Sequence, residues 1–271
     1  MKKNKKLIIG VVIGLVVVLA GGIFAATKLM NQSDQTADTT KQKKKLTPQL
    51  DTIPVEERPY ITMLPQGDGH NVEIVVNDLK KDASSMDYEL EYQAGTLLQG
   101  AFGSLDLTSF PAKKQILLGS CSAGGACTYH EDVKGGTLLV SFDGPTAYAH
   151  KTEWKYFENK AKETAFSSKD EKFQIESDGF KTASYLIIYR SPGAPKSLEG
   201  ELNSNIYTLE AAPGLASYSG TADLTMRLDE DVDSTIMGWD GSEWHEFETT
   251  RDGKTATANV QLMEAYVVVK Q

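Results

Sequence analysis

Apolar and polar residues alternate with a period of two along several short runs. Met86, Tyr88, Leu90 and Tyr92 interleave with Asp87, Glu89 and Glu91. Ala222, Leu224, Met226 and Leu228 interleave with Asp223, Thr225 and Arg227, and Ala256, Ala258, Val260 and Leu262 with Thr255, Thr257, Asn259 and Gln261. This period puts every apolar group of a run on one face of a strand, so each run predicts a strand buried on one side. Shorter β-rich runs at 60–64, 72–76, 115–118, 137–142, 185–189 and 265–269 predict further strands. Asp240-Gly241 and Asp252-Gly253 lie between such runs, and an Asp-Gly pair suits the positive φ angles of a two-residue hairpin turn. Strands near 235–239, 244–248, 255–262 and 265–269 are therefore expected to form a C-terminal meander. Helical spacing is approached only at 151–166, through Trp154, Phe157, Ala161 and Ala165, and this stretch reads equally as a strand running into a linker.

Many short strands with a turn about every ten residues, and no alternation with helices, predict an all-β fold of antiparallel sandwiches. The polar stretch 159–172 divides the strand-rich part into halves of about the size of one sandwich each. The expected organisation is a first, immunoglobulin-like β-sandwich over 54–158, a linker over 159–172 and a second β-sandwich over 173–271.

The N-terminus departs from this pattern. Lys2, Lys3, Lys5 and Lys6 precede an uncharged apolar run of 21 residues, Leu7 to Thr27. At about 1.5 Å rise per residue it matches a hydrocarbon core of roughly 30 Å. The basic flank favours a cytoplasmic N-terminus. These features predict a cytoplasmic tail over 1–6, a transmembrane helix over 7–27, a disordered linker over 28–53 and extracytoplasmic domains beyond it. A cleaved signal peptide is the alternative, with Ala20 and Gly22 as the small residues before a cut. Lipid attachment at an N-terminal cysteine is excluded, because the first cysteine is Cys121.

Of the chain's 271 residues, the first 45 hold nine lysines against two acids, +7 of a formal net charge of −9. The remainder holds 19 bases and 35 acids, which excludes nucleic acid as a partner, since phosphate binding needs a basic face. No residue pattern implies a cofactor.

Cys121 and Cys127 enclose SAGGA. In an oxidising compartment a disulfide is expected. A three-residue loop at 123–125 would set the two cysteines opposite each other, with Gly125 in the left-handed conformation. Such a small ring contributes about 2 kcal/mol, enough to clamp a hairpin. The spacing is not Cys-x-x-Cys, and His130 would supply only a third zinc ligand. His70, His130, His150 and His245 are scattered, and no Gly-x-Ser-x-Gly accompanies them. Asp229, Asp231 and Asp233, with Asp240 at the twelfth position, begin like a calcium loop, but Ser234 stands where the turn needs glycine. An acidic solvated turn is the simpler reading, and calcium remains an alternative. Trp239 and Trp244 bracket the Asp-Gly turn, either as a platform for a sugar ring or as packing within a sandwich.

The parts ADLTMRL, DEDVD, IMGWDGSEW, TRDGKTATANV and AYVVV, over Ser204 to Lys270, resemble a β-sandwich module that ends many bacterial and archaeal cell-surface proteins. Residues 55–157, through MDYELEY and their size, are similar to fibronectin type III or immunoglobulin-like domains. Neither resemblance implies a ligand. The expected function is that of a non-enzymatic, membrane-anchored surface protein that presents β-sandwiches for adhesion, envelope assembly or protein binding. A carbohydrate-binding surface protein is the second reading, and an extracytoplasmic enzyme with an unrecognised site the third.

Overall fold

A computed structural model of the chain describes residues 49–215 and 220–271. The expected tail 1–6, span 7–27 and most of the linker 28–53 lie outside the described residues. Among the described residues no helix is long and apolar enough to cross a membrane.

The fold is all-β and antiparallel. The first strands are β1 (Tyr60–Pro65), β2 (Asn71–Asp78), β3 (Ser85–Ala94), β4 (Leu97–Asp106) and β5 (Ala112–Leu117). Then come β6 (Gly119–Cys121), β7 (Cys127–Tyr129), β8 (Val133–Asp143), β9 (Tyr148–Glu158), β10 (Ala165–Ser167) and β11 (Phe173–Glu176). They continue as β12 (Tyr185–Ser191), β13 (Ile206–Ala212), β14 (Thr221–Arg227) and β15 (Ser234–Trp239). The last are β16 (Trp244–Glu246), β17 (Thr250–Asp252), β18 (Thr255–Gln261) and β19 (Ala265–Lys270). A nine-stranded sheet runs β16-β15-β19-β13-β12-β9-β8-β3-β4; smaller sheets run β1-β2-β5 and β10-β11-β14-β18-β17, and β6 pairs with β7.

Two apolar cores flank the nine-stranded sheet. In one, Ile61, Met63 and Ile74 of the three-stranded sheet pack with Leu90, Tyr92, Trp154 and Tyr189. In the other, Phe173, Leu224 and Val260 of the five-stranded sheet pack with Leu209, Tyr266 and Val268. Strand β12 serves both, because Ile187 and Tyr189 enter the first core while Leu186 and Ile188 enter the second. A strand covered on both faces reads as a continuous apolar run, and YLIIY is one.

The ambiguous stretch 151–166 resolves as strand: β9 sends Trp154 and Tyr156 into the first core and Phe157 toward the second. The stretch 159–172 holds β10, whose Phe166 is buried. It is tied down by buried Asn159, which donates to Glu163 O (3.1 Å) and Phe180 O (2.8 Å) and accepts from the Glu163 N–H (2.7 Å). Residues 47–271 form one compact unit. Leu50 to Ile53, placed in the tether on sequence, also dock on it: Leu50 bridges Ala149, Asp51 lies 2.7 Å from His150 and Ile53 enters the first core.

The C-terminal strands do not form a meander. β18 pairs with β14 and β17, whereas β19 pairs with β15 and β13. The burial patterns explain the split. β18 alternates and needs cover on one face, which an outer sheet supplies; β19, with five consecutive buried residues, needs cover on both. The Asp240 turn is also longer than expected. Trp239 pairs with Trp244 across a four-residue loop, in which Asp240 Oδ1 accepts from the N–H groups of Ser242 (2.8 Å) and Glu243 (2.9 Å).

Candidate functional site

The outer hairpin of the nine-stranded sheet turns at Gly95-Thr96, where Ala94 pairs with Leu97 and Gly95 takes a φ of 55°. Among the described residues no strand lies beyond its second strand, β4. The Leu107 N–H donates to Ser84 O at 3.1 Å, and backbone groups alternate in direction along a strand. Odd-numbered residues of β4 therefore bond to β3, and the N–H and C=O groups of Leu98, Gly100, Phe102 and Ser104 point to the open edge.

The side chains sort in the same way. Ala101 and Leu105 pack against the first core, whereas Leu98 is 68% exposed and Phe102 is 85% exposed. Sheet edges are normally blunted by shortness, lysine or proline. The edge strands β10, β16 and β17 have three residues each, and β5 carries Lys113 and Lys114. β4 has ten residues, no lysine, arginine or proline, and only the terminal Asp106 charged. By these rules it is an unprotected edge.

Beside it, Glu89 faces Phe102 and Glu91 faces Gly100, with Asp87 next along β3. Glu91 accepts from Thr137 Oγ1 at 2.9 Å and lies 3.6 Å from Lys151. Glu89 is exposed, and among the described residues no cation lies within ion-pair distance of it. Gly100 leaves a notch between Leu98 and Phe102: a Cβ there would meet only Leu90 O, at 3.5 Å. Notch, Phe102 and carboxylates line an open groove of about 740 Å³.

The residues singled out in the sequence lie elsewhere. Cys121 and Cys127 are joined at 2.00 Å and pair across an exposed hairpin. The Ser122 N–H donates to Ala126 O, and Gly125 has a φ of 83°. Beyond this hairpin Tyr129 stacks on His70 with centroids 3.8 Å apart, and His130 shares a 3.0 Å hydrogen bond with the Tyr92 hydroxyl. His70 and His130 border a cleft of about 860 Å³ that also meets Tyr156, Tyr185, Glu158 and Lys160. His150 is fully buried, and burial lowers its pKa despite Asp51.

Trp239 is buried and Trp244 half-buried, their rings 5.5 Å apart and inclined at 58°. Trp244 packs toward Val267 and Val269, and its buried Nε1 has no hydrogen-bond partner among the described residues. Asp240, Glu243 and His245 gather at the turn, with His245 Nε2 2.7 Å from Asp240 Oδ2. The calcium-like aspartates instead meet cations. Asp231 and Asp233 lie 3.4 and 3.3 Å from Arg251, and Asp229 lies 3.8 Å from Lys172.

Sequence reasoning missed two features. The β4 edge carried a signal, a run of LLQGAF without protecting charge, but only topology shows that no described strand pairs with its outer side. Glu210 of β13 was hidden inside an apolar stretch. It is buried, and burial, followed by the nearby Glu264 carboxylate, raises its pKa to about 8.

No family model, curated protein or solved structure matches this chain.

Proposed function

We propose that this chain is a non-enzymatic surface protein, anchored by a single membrane span at 7–27, that carries one compact β-rich unit with two cores on a shared nine-stranded sheet outside the cell and binds another protein through the β3–β4 edge. The observation that carries the reading is the ten-residue unprotected edge with Phe102 85% exposed. An added strand there gains main-chain hydrogen bonds for affinity and side-chain contacts for selectivity. The Cys121–Cys127 disulfide fits an oxidising compartment. The acidic balance of residues 46–271 fits a surface that stays soluble and avoids nucleic acid.

The test uses the full chain in zwitterionic liposomes, oriented by protease protection and offered to cells of the organism that makes it. The expected result is protease-sensitive retention on the cells that falls at least tenfold in a Leu98→Ser/Phe102→Ser variant with unchanged circular dichroism. Equal retention of both proteins, or none of either, would overturn the proposal.

A further inference from the structure

We infer that the occupant of the β4 edge is an extended protein segment that presents apolar, cationic and apolar side chains at every second residue. The inference rests on the reading of β4 as a binding edge and adds the chemistry of what binds there. A strand paired to β4 places alternate side chains on the outer face, opposite Leu98, Gly100 and Phe102. Apolar groups opposite Leu98 and Phe102 cover the exposed leucine and phenyl side chains, which already sit at 68% and 85% exposure. The residue between them faces a glycine, so its side chain can lie across β4 through the notch.

The notch leads to carboxylates. Glu91 stands directly beside Gly100 on β3, and Glu89 is one alternate position along. An added strand is two strand spacings from β3, about 10 Å, a gap that the long stem of a lysine or arginine and that of a glutamate close together. Lys151 already serves Glu91 in part, at 3.6 Å, while Glu89 has no cation of its own among the described residues. Charge complementarity thus selects a cation at the central position.

A second copy of this chain fits the edge less well. Pairing two β4 strands would set both acidic rows on one face, within a molecule whose residues 46–271 already carry 35 acids against 19 bases. β4 itself has no cation to place over the notch.

The test is fluorescence anisotropy of a labelled nine-residue peptide, threonines alternating with valine, lysine, valine and lysine. It is titrated with the full-length protein in zwitterionic nanodiscs, with empty nanodiscs as the blank. Two variants probe the two parts of the inference. Gly100→Pro removes one outward N–H, a change that edge strands tolerate, and leaves the β3 bonds intact. Glu89→Gln removes the unpaired charge and leaves the backbone untouched.

The lysine peptide should bind saturably, and the same peptide with glutamate for lysine should not. Gly100→Pro, with native circular dichroism, should weaken binding about tenfold, because it leaves a partner carbonyl unpaired. Glu89→Gln should weaken it about two- to fivefold, and the difference should vanish at high salt. Equal binding of the glutamate peptide, or no effect of Glu89→Gln at low salt, would overturn the cationic partner. Self-association of the unliganded protein that Gly100→Pro abolishes would install a second copy as the occupant and overturn the inference. If cell retention is lost in Gly100→Pro while no peptide binds, the edge reading stands and the partner chemistry falls. If cell retention survives Gly100→Pro, the edge reading itself falls.

Discussion

Replacing Glu210 with glutamine removes a charge that the interior of the nine-stranded sheet resists. The residue lies on β13, all seven residues of which are buried, on the face opposite Leu209 and Ala211. Buried Tyr60, whose hydroxyl has no hydrogen-bond partner among the described residues, and half-buried Glu264 are its electrostatic neighbours. Burial first, and the Glu264 carboxylate second, raise the Glu210 carboxyl from its ordinary 4.5 to about 8. Between these values the native state holds a proton that the unfolded chain has released, so stability falls as pH rises through this window and levels off above 8.

At 1.36 kcal/mol per pH unit of separation, the loss is about 3 kcal/mol by pH 7 and about 5 kcal/mol once the native carboxyl has ionised. Glutamine keeps the shape and polarity and never ionises. Glu210→Gln should therefore match the wild type at pH 4 and exceed it at pH 7. For a unit of this size, about 3 kcal/mol corresponds to roughly 6–12 °C in Tm. Thermal unfolding of both full-length proteins at pH 4, 5.5, 7 and 8.5, followed by near-ultraviolet circular dichroism, reads the difference directly. Other titrating groups contribute equally to both curves and cancel. Parallel Tm curves across the whole range would refute the reasoning, as would a variant less stable than the wild type at pH 8.5.

Three further outcomes follow from the packing. Replacing both cysteines by serine should lower the Tm by about 4–8 °C, because the small ring contributes about 2 kcal/mol by constraining the unfolded chain; hydrogen exchange at the Ser122 and Gly125 amides should accelerate as well. Gly136→Ala should cost at least about 3 kcal/mol in urea unfolding, since its Cβ would stand 2.1 Å from Glu91 O in the backbone of β3. Millimolar calcium should leave the Tm unchanged, because Asp231 and Asp233 are already matched by Arg251; a rise above about 2 °C would refute that pairing as their resting state.

The alternating runs were the most legible part of the fold. Met86, Leu90 and Tyr92 point into the first core and Glu89 and Glu91 out, as a period of two requires. Turn details were less legible. Asp240 looks like the first residue of a tight turn, yet its carboxylate accepts two N–H groups and organises a four-residue loop. Asp252 closes its hairpin as a strand residue paired with Thr255, and Gly253 takes the positive φ beyond it. His245 could not be placed from sequence because its partner Asp240 is five residues away across that loop. The β4 edge was legible only in its composition, for a different reason. Exposure of Leu98 and Phe102 follows from which strands come next in space, and spatial neighbours are set by connections longer than any local pattern.

The uninterrupted apolar runs carry the remaining lesson. YLIIY on β12 and AYVVV on β19 have no polar face, so neither satisfies a sheet with one side in water. Such strands have to sit where cover exists on both sides. For β12 the two outer layers supply that cover, the three-stranded sheet against Ile187 and Tyr189 and the five-stranded sheet against Leu186 and Ile188, whereas β19 turns Tyr266 and Val268 to the second core and packs Val267 and Val269 with Ala194 and Ile206. One run of five residues therefore couples two cores that composition alone, through the polar stretch 159–172, would separate. The same logic places β4 at the margin: Ala101 and Leu105 meet the first core while Leu98 and Phe102 stay exposed, so Phe102 lies at a long edge where a further strand can be added to the sheet.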